Sequence, residues 1–214
     1  MKKLYFYHGV VSSGKSLELI KMALNYRKRG KNVLLLTSSV DKRFGTGKIT
    51  TRFGSEKSID SCGLQEEALL IDKIPSLKMY VNQNGIDHIL CDEVQFYDER
   101  HIKTLVDIVD IHDIPVTCFG LKSNFKGELF GPIGKLLVYA DKIREIKTTC
   151  VACSKKATMN LRISSKGEPI YTGEEVVIGG EELHLPVCRH HYFHPVRIKN
   201  SMGLTEVDDV AMRC

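Results

Sequence analysis

The stretch that decides the fold is Gly9-Val10-Val11-Ser12-Ser13-Gly14-Lys15-Ser16, which matches the pattern G-x-x-x-x-G-K-[ST]. An apolar run precedes it at residues 3–8, and apolar positions at helical spacing follow it over residues 16–29. The two glycines let the backbone curl so that its amide groups point at phosphate oxygens. We therefore predict a strand, a phosphate-binding loop and a helix. Lys15 would reach the β- and γ-phosphates of ATP, and Ser16 would bind Mg²⁺.

Outward from this loop, apolar runs and amphipathic stretches alternate along the chain to about residue 145. The patterns predict strands at residues 32–37, 88–92 and 115–121, and helices at residues 64–83 (interrupted near Pro75), 98–112 and 132–140. Residues 39–62 are predicted to form a loop or a ragged strand pair. The alternation predicts an α/β domain over residues 1–145, of the phosphate-loop NTPase type, with a parallel sheet and helices on both faces.

Charge and composition narrow the class of protein. The 214 residues carry a net charge of +5, and residues 1–50 hold eleven Lys and Arg against two acids. Bound phosphate would explain this basic region, and a solvated helix end is the alternative. No apolar run approaches the ~20 residues of a membrane span, and the first residues do not resemble a signal peptide. With seven cysteines and no export signal, we expect a cytoplasmic protein with reduced thiols.

A pair of acids follows the third predicted strand. Asp92 and Glu93 come directly after the apolar residues 89–91. In a phosphate-loop fold, an Asp at the end of a neighbouring strand holds Mg²⁺ or its water, and the adjacent Glu can act as a general base. Glu93 would activate water in an ATPase or accept a proton from a substrate hydroxyl in a kinase. The pair alone does not separate these two activities.

Four potential metal ligands mark a second region of the chain. Cys150-x-x-Cys153 is followed, after a long gap, by Cys188-x-x-His191. Three thiolates and one imidazole would fill the tetrahedral coordination of Zn²⁺ and leave no open position, which indicates a structural site. His190 is adjacent, but the two-residue gap favours His191. We predict a small zinc-binding module over residues 146–195 and a loosely ordered tail over residues 196–214.

Together these motifs resemble the type II, zinc-containing thymidine kinases over residues 1–195. Besides the phosphate loop and the two zinc pairs, the resemblance rests on four segments: Asp41-Lys42-Arg43, Asp92-Glu93-Val94-Gln95-Phe96, the block from Gly120 to Gly131, and Ile178-Gly179-Gly180 before Val187-Cys188-Arg189. The chain departs from the family's usual residues at Val10-Val11, Lys122, Asn160 and His184.

The resemblance implies a role for each matching residue. Glu93 would be the catalytic base for the 5′-hydroxyl of thymidine or deoxyuridine, and Arg43 would lie near the transferring phosphate. Val94 and Gln95 would lie near the nucleotide. The nucleoside would contact Phe96, Leu121, Phe125, Phe130, Asn160, His184 and the backbone near Val177. The alternative for the aromatic residues is ordinary core, and for His184 a surface imidazole. Residues 160–184 would form a lasso loop over the base, with structural Zn²⁺ at its foot.

The resemblance also implies partners. It implies a homotetramer inhibited by its end product, the nucleoside triphosphate dTTP, that binds no nucleic acid and no membrane. The alternative is a nucleic-acid-binding ATPase that uses the same phosphate loop and touches nucleic acid through the basic first 50 residues and the zinc module. Against this alternative, acidic residues outnumber basic ones in residues 157–187.

Overall fold

The computed structural model describes residues 1–41, 45–51, 63–175 and 183–196. Arg43, Val177 and residues 197–214, which include nearly all of the predicted tail, lie outside the described residues. The chain divides into two compact units. The first unit comprises residues 1–9, 14–122 and 129–146, and the second comprises residues 10–13, 123–128 and those from 147 onward, as far as each is described.

The first unit is built around a six-stranded, fully parallel sheet. Its elements, in chain order, are β1 (Leu4–His8), α1 (Lys15–Arg27), β2 (Val33–Thr37), β3 (Lys48–Thr50), β4 (Gln65–Glu67), β5 (Leu69–Leu70), α2 (Leu77–Asn84), β6 (His88–Cys91), α3 (Glu99–His112), β7 (Val116–Gly120), α4 (Ile133–Tyr139) and β8 (Lys142–Glu145). The strand order in the sheet is β5-β2-β6-β7-β1-β8. The central strands are continuous apolar runs, as expected of strands covered on both faces.

Helices cover both faces of this sheet. On one face, Leu19, Ile20 and Ala23 of α1 pack against strand residues that include Leu35 and Phe119. The intervening strand residues point to the other face because side chains alternate along a strand. There α3 contacts β1 and β7, and α4 contacts β1. The prediction of an α/β fold with a parallel sheet is therefore confirmed. Among the described residues, no helix has the length and apolar character needed to span a membrane.

Two segments of the first unit differ from the prediction. The helix predicted over residues 64–83 is wrong in its first half, because residues 65–67 pair with β3, residues 69–70 pair with β2, and residues 71–73 form a 3-10 turn. The helix begins only at Leu77, where the Ser76 hydroxyl accepts a hydrogen bond from the Met79 amide at 3.4 Å. Strand β8 was not predicted. All four of its residues are exposed at the sheet edge, so no apolar pattern marks it.

The second unit contains a three-stranded antiparallel sheet and a short helix. Its elements are β9 (Met159–Ile163), β10 (Pro169–Ile170), β11 (Leu183–Val187) and α5 (Arg189–Phe193), with the strand order β10-β9-β11. Leu161 and Ile163 of β9 form a core with Val187, Cys150 and Cys188, among others. Asn160 and Arg162 alternate with these residues and therefore point to the opposite side of β9.

A buried histidine in β6 makes the stability of the first unit depend on pH. The His88 Nε2 lies 3.0 Å from the Thr117 hydroxyl, and its ring centroid lies 4.5 Å from that of Tyr26. Burial lowers the pKa of His88 to about 4. Because the unfolded chain binds this proton near pH 6.5, the neutral ring stabilises the fold above that pH, and this stability is lost as the pH falls toward 4.

We expect replacement of His88 by Asn to make the pH dependence of unfolding shallower. Between about pH 7.5 and about pH 5.5, the wild-type protein should lose about 1.4 kcal/mol more of its unfolding free energy than H88N does. Urea unfolding at the two pH values measures this difference. The half-buried His112 at the end of α3, replaced by Asn, is the control that should follow the wild type. Parallel pH curves for wild type and H88N would contradict the prediction.

Candidate active site and metal centre

The phosphate-loop motif leads directly into α1. Gly14 lies in the left-handed region, with φ of +85°, immediately before Lys15 begins the helix. A residue with a side chain would be strained there. The buried Lys15 ammonium lies 3.4 Å from the Gly9 carbonyl oxygen. A lysine charge therefore lies beside the loop at the positive end of the α1 dipole, where anions bind favourably.

The two acids lie at the carboxyl end of β6. Asp92 is 4% exposed and Glu93 is 8% exposed. The Ser16 hydroxyl donates a hydrogen bond to the Asp92 carboxylate at 3.1 Å, so the two residues predicted to bind Mg²⁺ lie side by side. Burial and the neighbouring Glu93 raise the pKa of Asp92 to about 7, and the Lys15 charge acts in the opposite direction. Two carboxyl groups buried so close together favour a bound cation.

Gln95 holds the Glu93 side chain in place. Its amide nitrogen donates a hydrogen bond to a Glu93 carboxylate oxygen, and its amide oxygen accepts one from the Leu121 N–H at 3.0 Å. Glu93 itself has a positive φ of 50°. The side chain of Val94, another residue predicted to lie near the nucleotide, is fully buried. Gln95 therefore links the candidate base to the end of β7.

The backbone approaches Gln95 closely at two glycines. A Cβ atom at Gly120 would lie 2.7 Å from the Gln95 side-chain oxygen. At Gly131, whose φ is +49°, it would lie 2.4 Å from the Gln95 carbonyl oxygen. Real Cβ atoms do not come this close to other atoms, so both positions require glycine while Gln95 keeps its place. This accounts for the two glycines that begin and end the Gly120–Gly131 block.

The aromatic residues of the predicted nucleoside pocket fall into two groups. In the first unit, the rings of Phe96 and Phe130 meet edge to face with their centroids 5.5 Å apart. Phe96 and Leu121 are half-buried there. In the second unit, the exposed His184 ring lies 6.2 Å from the buried ring of Phe125. Phe96 and Leu121 therefore keep surface for a ligand, whereas Phe125 is almost fully buried.

Asn160 is buried in the second unit, where both ends of its side-chain amide bond to backbone. Its Oδ1 accepts a hydrogen bond from the Val11 N–H at 2.8 Å, and its Nδ2 donates one to the Ser123 carbonyl oxygen at 2.9 Å. The residue is 2% exposed. The side chain thus joins three segments that are far apart in sequence.

Three residues that the sequence analysis did not single out organise the segment 123–128. The Asn124 carbonyl Oδ1 accepts hydrogen bonds from the amides of Lys126 and Glu128, both at 3.0 Å. The Tyr192 hydroxyl donates to the Phe125 carbonyl at 2.7 Å. The Arg162 guanidinium, on a residue 2% exposed, lies 4.5 Å from the centroid of the Phe125 ring. An Asn at position 124 is a sequence signal for a turn, so its bonds could have been predicted. The contacts that Tyr192 and Arg162 make with Phe125 depend on long-range packing and leave no such signal.

The same segment is also tied to residues 174–175. The Asn124 amide nitrogen donates to the Glu175 carboxylate at 2.7 Å, and the Arg162 guanidinium donates to the Glu174 carbonyl at 2.7 Å. These bonds anchor the described part of the predicted lasso, which continues into residues 176–182. Arg162 thus contacts both the Glu174 backbone and the Phe125 ring on the side of β9 away from its core.

The four predicted metal ligands meet at one point. The donor atoms of Cys150, Cys153, Cys188 and His191 all lie within 4.8 Å of one another. The Cys153 and Cys188 sulfurs are 3.9 Å apart, and the His191 Nδ1 lies 3.3 Å from the Cys188 sulfur. Tetrahedral Zn²⁺ with bonds of about 2.3 Å to sulfur requires sulfurs about 3.8 Å apart. Burial lowers the pKa of His191, which favours the neutral imidazole that binds metal. The donor set and its spacing therefore fit Zn²⁺.

Fold and site together define a class of protein. A parallel sheet, a Gly-rich loop leading into a helix, and a buried carboxylate pair beside the first residues of that helix are typical of phosphate-loop proteins that bind nucleotides. A family model described as "Thymidine kinase" matches residues 2–192. The chain belongs to the thymidine kinase family.

Curated relatives agree with this assignment. The thymidine kinase of Lactococcus lactis subsp. lactis is 46% identical over 197 residues, which cover 91% of this chain and 99% of the relative. The thymidine kinase of Enterococcus faecalis is 45% identical over 197 residues, covering 91% of this chain and 96% of the relative. That of Lactiplantibacillus plantarum is 44% identical over 200 residues, covering 92% and 99% respectively. The similarity therefore extends over both units.

Proposed function

We propose that this protein is a thymidine kinase that transfers the γ-phosphoryl group of ATP to the 5′-hydroxyl of thymidine, and also of deoxyuridine. The observation that carries the proposal is the buried pair Asp92 and Glu93, with Ser16 bonded to Asp92. Membership of the family supports thymidine as the acceptor. The product dTMP would enter the salvage route to DNA precursors.

In the proposed reaction, the residues of the phosphate loop and of the acidic pair have different roles. The loop amides of Gly9–Ser16 other than that of Val11, together with the Lys15 charge, bind and orient the phosphates of ATP. Ser16 and Asp92 would hold Mg²⁺, which neutralises charge on the phosphates. Glu93 accepts the proton of the 5′-hydroxyl while the oxygen bonds to the γ-phosphorus and the bond to the β-phosphate oxygen breaks, releasing ADP.

In the proposed reaction, Gln95 orients the Glu93 carboxylate and transfers no proton. Its amide nitrogen bonds to the Glu93 carboxylate, and its amide oxygen is held by the Leu121 N–H. A base that is held in one orientation reacts faster than one that rotates freely, because it loses less rotational freedom on reaching the transition state. Val94 would contribute only its backbone. Arg43 is proposed to stabilise the charge of the transferring phosphate.

We propose that the nucleoside binds against Phe96, Leu121, Phe125 and Phe130, with His184 and the backbone near Val177 at its polar edge. Of these, Phe96 and Leu121 are half-buried in the first unit, so they keep surface for a base. Asn160 is the further candidate from the family resemblance. Its amide groups, however, already bond to Val11 and Ser123.

The two regions of the chain are proposed to have separate tasks. Residues 1–145 would bind ATP, and residues 146–195 would form a zinc-binding module whose lasso, residues 160–184, contributes to nucleoside binding. Structural Zn²⁺ held by the three cysteines and His191 would keep the ends of the lasso rigid. The core that Leu161 and Val187 form with Cys150 and Cys188 supports this division.

Assembly, regulation and location are proposed from the family resemblance alone. We propose a cytoplasmic homotetramer that is inhibited by dTTP. Light scattering of the purified protein tests the assembly, and inhibition by dTTP that thymidine relieves would test the regulation.

The first test of the function is ADP release from MgATP, with and without thymidine and with a panel of other nucleosides. Formation of ADP only with thymidine or deoxyuridine is expected. A Lys15→Ala variant, which lacks the loop charge, should lose the signal and so assign it to this site. Equal ADP release without nucleoside would refute the kinase proposal and favour the nucleic-acid-binding ATPase, which DNA should then stimulate.

A further inference from the structure

The tip of the phosphate loop is bonded to strand β9. In the second unit, the Val11 N–H donates to the Asn160 side-chain oxygen at 2.8 Å. An amide group in a phosphate-binding loop usually points at phosphate. Here the Val11 N–H is directed at a protein oxygen instead. The residue that follows, Ser12, has a φ of +56°. For a residue other than glycine this backbone conformation is unfavourable and persists only where its surroundings hold it.

Asn160 is well placed to hold the loop in this conformation. It is 2% exposed, and its Nδ2 donates to the Ser123 carbonyl at 2.9 Å, so the side chain cannot rotate without losing a second buried bond. Its strand is itself fixed, because the neighbouring Leu161 packs into the core that contains Cys150 and Cys188. The acceptor for the Val11 N–H is therefore rigid.

The Asn160 amide bonds to the Ser123 carbonyl and to the Val11 N–H, and these two backbone groups differ in the other hydrogen bonds that hold their segments. The segment after Ser123 has other supports, because Asn124 bonds to the amides of Lys126 and Glu128 and Tyr192 bonds to the Phe125 carbonyl. For the Val11 N–H, the bond to Asn160 is the one the structure shows. Removal of the Asn160 side chain should therefore loosen the loop 10–13 more than the segment 123–128.

We propose that Asn160 is a positioning residue for ATP: it holds the Val11 N–H and thereby fixes the conformation of the phosphate loop at Ser12. This proposal rests on the function proposed above, since it takes the loop 9–16 as the ATP site. It differs from the role that the family resemblance implies for Asn160, which is contact with the nucleoside. The two roles predict different kinetic effects, because loss of the first would change the KM for ATP and loss of the second the KM for thymidine.

The test compares Asn160→Ala with Tyr192→Phe. Each substitution removes buried hydrogen bonds within the second unit, but only N160A frees the Val11 N–H. We expect N160A to raise the KM for ATP and the dissociation constant of ADP by about tenfold, a change equivalent in size to the loss of one buried hydrogen bond. The KM for thymidine should stay within about twofold. Y192F should leave both ATP values unchanged, and both variants should keep their zinc.

Other outcomes would overturn the proposal. A rise in the KM for thymidine with no change for ATP would assign Asn160 to the nucleoside, and no change in either would remove it from positioning. If N160A does not fold, hydrogen exchange in the wild type decides. A protected Val11 amide supports the proposal, and an amide exchanging at the rate of an open chain refutes it. Failure of the proposed function would instead show as absent thymidine-dependent turnover, while ADP binding would still report on the loop.

Discussion

Replacing Glu93 by Gln is expected to lower turnover by about 10²–10⁴-fold while leaving the binding of ATP and thymidine nearly unchanged. Gln is the same size as Glu, and its side-chain oxygen can still accept the hydrogen bond from the Gln95 amide, so the local structure should be kept. What is lost is the carboxylate that we propose takes the proton of the 5′-hydroxyl. Steady-state turnover, together with equilibrium binding of thymidine and ADP, measures the two effects separately.

The control for this variant is the same substitution at an exposed site. Glu67 lies in β4 and is exposed, so Glu67→Gln changes the net charge equally without touching the buried acids. It should retain wild-type turnover. Turnover of E93Q within about fivefold of the wild type would remove Glu93 from the role of base. Equal losses in turnover and binding would indicate that the substitution disturbs the site instead.

The second large effect is expected on removal of the metal. The purified protein should carry about one zinc per chain, and Cys188→Ala should lose it, because three ligands with an open position hold Zn²⁺ less well than four. Since Cys188 and Cys150 belong to the core of the second unit, loss of the metal should unfold that core. We expect thymidine kinase activity to fall at least about tenfold and the melting temperature of the second unit to drop.

A cysteine outside the cluster provides the matched control. Cys118 is buried in β7 of the first unit, so Cys118→Ala also deletes a buried thiol, but it leaves the four metal ligands intact. This variant should keep its zinc and most of its activity, with only the modest loss of stability that a small cavity causes. A zinc-free preparation of wild type with full activity would contradict the structural role of the metal.

Local sequence patterns predicted much of the fold and of the candidate site. The loop before α1 and the two metal-ligand pairs depend on residues close together in the chain, so their spacing alone identified them. The helix predicted over residues 64–83 shows where this approach fails. Residues 69–70 are a short apolar run that suits a helix or a buried strand equally, and pairing with β2 selected the strand. Strand β8 is exposed and carries no pattern at all.

The sequence by itself determined the α/β class, the phosphate loop, the acidic pair after β6 and the Cys₃His set, because each is encoded by short-range spacing. Only the tertiary structure decided that Gln95 bonds to both Glu93 and the Leu121 amide, that Arg162 packs on Phe125, and that Asn160 holds Val11. Val11 and Asn160 are 149 positions apart. Such contacts depend on which strands and loops pack together, and no local periodicity records that choice.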